Sequence, residues 1–167
     1  MYYIGVIGAA ECSEEIARVA YEVGRGIAAR GAVLICGGRG GVMEAAARGA
    51  REAGGVVIGI LPGRDRSEGN PYLSFSIATG LGEARNAVIA RACDALIAVS
   101  GGYGTLSEIG LALKMGKPVV GLHTWRLKPV QDRLLSGYRE VATAGDAVEL
   151  TWAALGDHAT RLENQDN

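Results

Sequence analysis

Two glycine-rich stretches hold the residues best suited to chemistry. In Cys36-Gly37-Gly38-Arg39-Gly40-Gly41-Val42-Met43-Glu44 an apolar run ends and a helical pattern begins. Glycines at such a junction permit positive φ and close backbone approach, and the unpaired N–H groups at the start of a helix attract an anion. Four glycines in five residues exceed the needs of a tight corner, which makes Gly37, Gly38, Gly40, Gly41, Val42 and Met43 candidates for binding a phosphate. The stretch is not a Walker loop, which needs Gly-Lys-Ser/Thr, and Met43 stands where a dinucleotide fingerprint has its third glycine. An acidic residue at the distance expected for a ribose contact is also missing. The second stretch, Ser100-Gly101-Gly102-Tyr103-Gly104-Thr105-Leu106-Ser107-Glu108, holds the same place in a later unit. Gly101, Gly102, Tyr103, Gly104 and Thr105 join the binding set, as does Gly8 at the end of the first apolar run.

Charged residues accompany both loops. Thr105-x-x-Glu108 reads equally as a capping box, with Glu108 bonding back to the Thr105 N–H, and as a site carboxylate. Between the loops Arg85 and Asn86 begin a helix aimed at the same crevice. An arginine there opposes the helix dipole, which either a bound anion or simple surface exposure explains. Arg91, six residues on, shares no face with Arg85 and reads as structural. His123 and His158 have no partner at ligand spacing, so no metal is expected. Cys12, Cys36 and Cys93 are odd in number, widely spaced and set among apolar residues, which outlines neither a disulfide framework nor a zinc site.

The elements that must position these residues follow from hydrophobic period. Short apolar runs at 2–7, 32–36, 56–60, 95–99 and 118–121 predict buried strands, and amphipathic segments at 13–30, 41–53, 83–93 and 106–115 predict the crossover helices. This alternation predicts an α/β fold: a Rossmann-like, doubly wound, mostly parallel sheet with helices on both faces. Loops at the carboxyl edge of such a sheet converge on one crevice. The polar stretch 62–71 predicts a mobile loop, 75–79 a short strand, 125–137 an irregular excursion, 138–142 a last strand and 146–155 a terminal helix. Residues 1–160 are expected to form a single domain and 161–167 a frayed tail.

Composition narrows the function. The 167 residues are 49% hydrophobic and 21% charged, enough for a substantial core, and a net charge of −1 offers no basic stripe for a nucleic-acid backbone. The start lacks the basic and cleavage regions of a signal peptide, and no apolar run is long enough to span a bilayer, so a cytoplasmic protein with no membrane partner is expected. Lys114, Lys117 and Lys128 fall away from both loops, which argues against a pyridoxal phosphate enzyme.

In order and spacing, the segment 37–44, the pair Arg85 and Asn86, and the segment 100–108 resemble the Lonely Guy and molybdenum-cofactor-carrier superfamily, long mislabelled as lysine decarboxylase-like. The likeness runs from about residue 2 to residue 121, and Gly-Gly-x-Gly-Thr-x-x-Glu is its specific part. In Lonely Guy enzymes an arginine and the glutamate of this motif support hydrolysis of the N-glycosidic bond of a cytokinin riboside monophosphate. The resemblance therefore implies catalytic roles for Arg85 and Glu108 on a nucleoside 5′-monophosphate, with no cofactor required. Three positions depart from the Lonely Guy pattern: Ser100 replaces a proline, Ser107 the first glutamate of a pair, and Asn86 the lysine after the catalytic arginine. These departures resemble the shorter cofactor-carrier branch, which implies the alternative of a non-catalytic carrier holding molybdenum cofactor, a phosphorylated pterin, or a nucleotide. The resemblance also implies a homodimer or a dimer of dimers, paired through the helices at 83–93 and 106–115.

Overall fold

Seven short strands build one sheet, whose central strands are apolar because helices cover both of its faces, while the two edge strands are partly exposed. They are β1 (Tyr3–Gly8), β2 (Val33–Cys36), β3 (Val57–Leu61), β4 (Phe75–Ala78), β5 (Ala95–Val99), β6 (Val119–Leu122) and β7 (Tyr138–Val141). The computed structural model describes residues 1–128 and 137–163. All pairings are parallel, in the order β4-β3-β2-β1-β5-β6-β7. The chain thus walks outward from β1 to β4, returns to the other side of β1 and continues through β5 to β7. Strand order reverses between β1 and β5, and this switch point opens a crevice beyond the carboxyl ends of the strands.

Five helices complete the two layers: α1 (Glu14–Ala29), α2 (Val42–Glu52), α3 (Arg85–Ala92), α4 (Tyr103–Lys114) and α5 (Ala144–Glu163). One core joins α1, α2 and α5 to Ile4, Val6, Leu34, Ile97 and Val99; the other joins α3 and α4 to Ile7, Ile35, Ile60, Leu96 and Ala98. Alternate residues of the same strands thus feed opposite cores. α1 shows how sequence sets an element. The Ser13 hydroxyl accepts the Ile16 N–H, Glu14 and Glu15 occupy the first turn, and Ala20, Val23, Gly24 and Ile27 make one buried stripe. Each large member of that stripe contributes roughly 1.5–3 kcal/mol. Gly31, at φ 71°, ends the helix as its spacing predicts.

The α/β, doubly wound architecture and the five principal strands agree with the sequence expectation, as do strands near 75–79 and 138–142. Two expectations need correction. The stretch 62–71, read as a mobile loop, contains a 3-10 turn at Arg66–Glu68 and is tied to the first glycine loop. There the Asn70 N–H donates to the Gly38 carbonyl at 2.9 Å and its side-chain amide to the Arg39 carbonyl at 3.0 Å. Second, α4 starts at Tyr103, one turn before the predicted 106, because its glycines open the helix instead of preceding it. The terminal helix extends to Glu163, through the start of the predicted tail, while 164–167 and the centre of the 125–137 excursion lie outside the described residues.

Candidate functional site

Of all the residues around the crevice, Arg85 is the most constrained. It opens α3 directly after a 3-10 turn at Gly82–Ala84, and only 9% of its surface is exposed. One guanidinium nitrogen donates to the Ile60 carbonyl at 2.5 Å, but Nε is buried without a partner, and the side chain forms no ion pair among the described residues. Burial lowers its pKa, against the pull of Glu108. Gly37 is glycine for this reason: a Cβ there would overlap the Arg85 guanidinium.

Glu108 faces the same cavity from α4 and is 7% exposed. Since α4 is capped by Gly102 with no side-chain cap bond, the capping box is not formed: Thr105 and Glu108 lie inside the helix, and Glu108 is a wall residue. Desolvation pushes its carboxyl from the ordinary 4.5 up to about 7; Arg85 pulls it down, and Glu83 adds to the rise. A buried guanidinium with no ion pair among the described residues, facing a carboxyl whose pKa burial raises, has the charge and the free donor to attract an anion.

The cavity, about 260 Å3, sits at the switch point. From the residues singled out in the sequence it takes Arg85, Asn86, Thr105 and Glu108, together with Gly8, Gly37, Met43, Gly102 and Gly104. Gly38, Gly40, Gly41, Val42, Gly101 and Tyr103 do not line it. For Gly40 and Gly41 the reason is topological. β1 lies between β2 and β5, so the Ala9–Ala10 turn separates the two glycine loops. Gly41, at φ 61°, carries no Cβ because one would overlap the Ala9 carbonyl, and the Val42 N–H is already bonded to that carbonyl at 3.0 Å. The first glycine loop therefore serves largely to seat the β1 turn.

The start of α4 is different. Its first intrahelical bond is Leu106 N–H to the Gly102 carbonyl, which leaves the Tyr103, Gly104 and Thr105 N–H groups ahead of the helical ladder. Six wall residues are not among the candidates that the sequence offers: Ile7, Ala9, Ala10, Arg39, Pro62 and Glu83 also line the cavity. An Ala-Ala turn carries no chemical signal, and Glu83 becomes visible only once Arg85 is placed.

The departures at Asn86 and Ser107 prove to be neighbours. The Asn86 amide donates to the Ser107 hydroxyl at 3.3 Å, and that hydroxyl donates to the Gly104 carbonyl at 2.6 Å. Replacing a lysine and a glutamate together leaves this pair neutral and hydrogen-bonded, with neither charge stranded. Ser100 has φ 53°, which a proline ring excludes, so its loop follows a path the Lonely Guy proline forbids. All three cysteines are free, and burial pushes Cys36 up to about 11. No group of His, Cys, Asp or Glu suited to a metal occurs among the described residues.

Such a sheet, with its cavity at the point where strand order reverses, defines a Rossmann-like α/β protein of the doubly wound kind. The chain belongs to the SLOG cluster4 family, whose model matches residues 1–150. A protein of Archaeoglobus fulgidus described as uncharacterized is 52% identical over 145 residues, covering 87% of this chain and 91% of that one. A probable cytokinin riboside 5′-monophosphate phosphoribohydrolase of Oryza sativa subsp. japonica is 32% identical over 130 residues. That match covers 75% of this chain but 54% of the rice protein, so the chain spans about half of that relative. Among solved structures, the molybdenum cofactor binding protein of the phototrophic bacterium Rippkaea orientalis superposes with a TM-score of 0.84 at 37% identity, over 91% of this chain and 96% of that one. The likeness to the Lonely Guy and cofactor-carrier superfamily is thereby shown.

Proposed function

We propose that the crevice binds the phosphate of a nucleotide-like small molecule at the start of α4 and hydrolyses the N-glycosidic bond of a nucleoside 5′-monophosphate. The observation that carries this is Arg85, a buried guanidinium with an unpartnered nitrogen that lines the same cavity as Gly104 and Thr105 at the start of α4. A buried cation without a counterion is costly, and an anionic ligand removes that cost. Helix N–H groups and the positive end of the dipole supply the rest of the cradle.

In this chemistry the C1′–N bond breaks, water adds to C1′, and the base leaves with a proton. Glu108, with its pKa close to neutrality, is suited to the work in either form. As a carboxylate it stabilises the positive charge developing on the sugar or orients the water; Arg85 holds the ligand in register. Incubation of the protein with AMP should release adenine and ribose 5-phosphate, and no release over many hours at high enzyme concentration would overturn hydrolysis.

Specific observations favour a second reading, a binding protein without turnover. They are the neutral Asn86–Ser107 pair, the path of Ser100 and the likeness to a molybdenum cofactor binding protein. The donor set suits the phosphate of a phosphorylated pterin as well as that of a nucleotide, since Arg85 and the α4 N–H groups recognise the anion and not the ring. Arg85, Gly102, Gly104 and Thr105 would hold it; the pterin's molybdenum centre would bring redox chemistry of its own. Tight binding of AMP or of a phosphorylated pterin without release is the result that selects this reading.

The remaining proposals concern the whole chain. It works as a cytoplasmic homodimer or dimer of dimers on a phosphorylated small molecule, without nucleic acid or membrane, and residues 1–160 act as one domain. No helix among the described residues is long and apolar enough to cross a membrane. For the dimer, the support is an apolar surface at the α3 edge of the sheet: Phe75, Ile77, Leu81 and Val88 are 62%, 49%, 52% and 38% exposed. Register sets Phe75 beside Ile58 and Ile77 beside Ile60, on the face that α3 only partly covers.

A further inference from the structure

The cavity of about 260 Å3 lies just below the roughly 300–1,000 Å3 of pockets that bury most of a drug-sized ligand. A phosphorylated ligand held by its phosphate at the start of α4 therefore extends past the rim. At that rim stands Tyr103, the first residue of α4, set between Gly102 and Gly104 of the cavity wall. The residue is 83% exposed, although it occupies a fixed position on a helix. Behind it lies Trp125, with ring centroids 5.7 Å apart and planes tilted by 39°.

Trp125 is held from two sides. Its indole N–H donates to the Gly102 carbonyl at 3.0 Å, and the Tyr138 hydroxyl donates to the Trp125 carbonyl at 2.5 Å. The aromatic pair is thus anchored to the same residue that caps α4, and the remaining face of Tyr103 is open to solvent. We propose that Tyr103, backed by Trp125, is the platform on which the flat heteroaromatic part of the crevice's phosphorylated ligand stacks. This rests on the assignment of the phosphate to the start of α4. Every base or pterin has a π-face, so the platform selects an aromatic ring over a bare sugar phosphate without choosing among rings.

The test uses intrinsic fluorescence. The chain has two tryptophans, and Trp152 lies away from the crevice beneath the Arg30 guanidinium, so Trp152→Phe leaves Trp125 as the sole reporter. In that background AMP should change the Trp125 emission more than ribose 5-phosphate does. Tyr103→Ala should weaken AMP at least about fivefold, the low end for losing one stacked base, and leave ribose 5-phosphate within about twofold, while Tyr103→Phe keeps both. Equal loss for both ligands, or no loss for AMP, overturns the platform while ribose 5-phosphate binding upholds the phosphate site. A change of mass by light scattering in Tyr103→Ala would also overturn it, since the ring would then belong to a subunit contact. If neither AMP nor ribose 5-phosphate binds the parent protein, the phosphate assignment fails and the platform with it.

Discussion

Burial keeps Glu108 near neutrality, and this has a consequence for stability with a definite sign. A carboxyl whose folded pKa, about 7, exceeds its unfolded 4.5 binds more protons folded than unfolded between those values. Stability therefore falls as pH rises from about 4.5 to about 7 and stays lower above. Glu108→Gln removes this dependence. Relative to the parent it should gain up to roughly 3 kcal/mol on going from pH 5 to pH 8, read from urea unfolding at the two values. A difference between the two proteins that is independent of pH would contradict the burial of Glu108. The sequence showed Glu108 as cap or site with no means of choosing, because both uses require the same four residues. What decides between them is whether the helix starts at 103 or 106, and that rests on glycines whose conformations depend on neighbours far away in the chain.

At the scale of elements, the two glycine loops look alike in sequence yet do different work. The first seats the Ala9–Ala10 turn through Gly41 and makes room for Arg85 through Gly37; the second opens α4. Substitutions should separate these tasks. Gly41→Ala places a Cβ at φ 61° against the Ala9 carbonyl and should lower the unfolding free energy by roughly 1–3 kcal/mol. Gly37→Ala displaces the Arg85 guanidinium, so it should weaken binding of sulfate, an anion that does not itself titrate near neutrality, by at least about tenfold. Thermal shifts with and without sulfate measure both effects. Equal behaviour of the two variants would mean that the loops are interchangeable after all. Strands and most helix ends were legible because apolar runs and glycine stops are local signals. The placement of β1 between β2 and β5 is a long-range property, and it alone makes Gly40 and Gly41 packing residues.

The whole molecule presents its switch-point cavity on one edge and an apolar strip on α3 and β4. Ile89, Ala90, Ile109 and Ala112, apolar residues of the two helices expected to pair subunits, are fully buried within the chain itself, so they pack this core and leave Val88 as the exposed large apolar residue of α3, beside exposed Arg91 and Ala92. Val88→Arg should convert a dimer to monomer by light scattering without unfolding the chain, whereas Ala90→Arg would damage the core. A parent protein already monomeric at micromolar concentration would contradict the dimer. Whether Arg85 and the start of α4 hold a phosphate is decided by calorimetric titration of AMP into the parent protein and into Arg85→Met. Saturable binding by the parent is expected, weakened at least about tenfold in Arg85→Met, which stays as stable as the parent without ligand because it loses a buried charge that has no ion pair among the described residues. Equal affinity in the two proteins, or no binding of AMP by the parent, would contradict it.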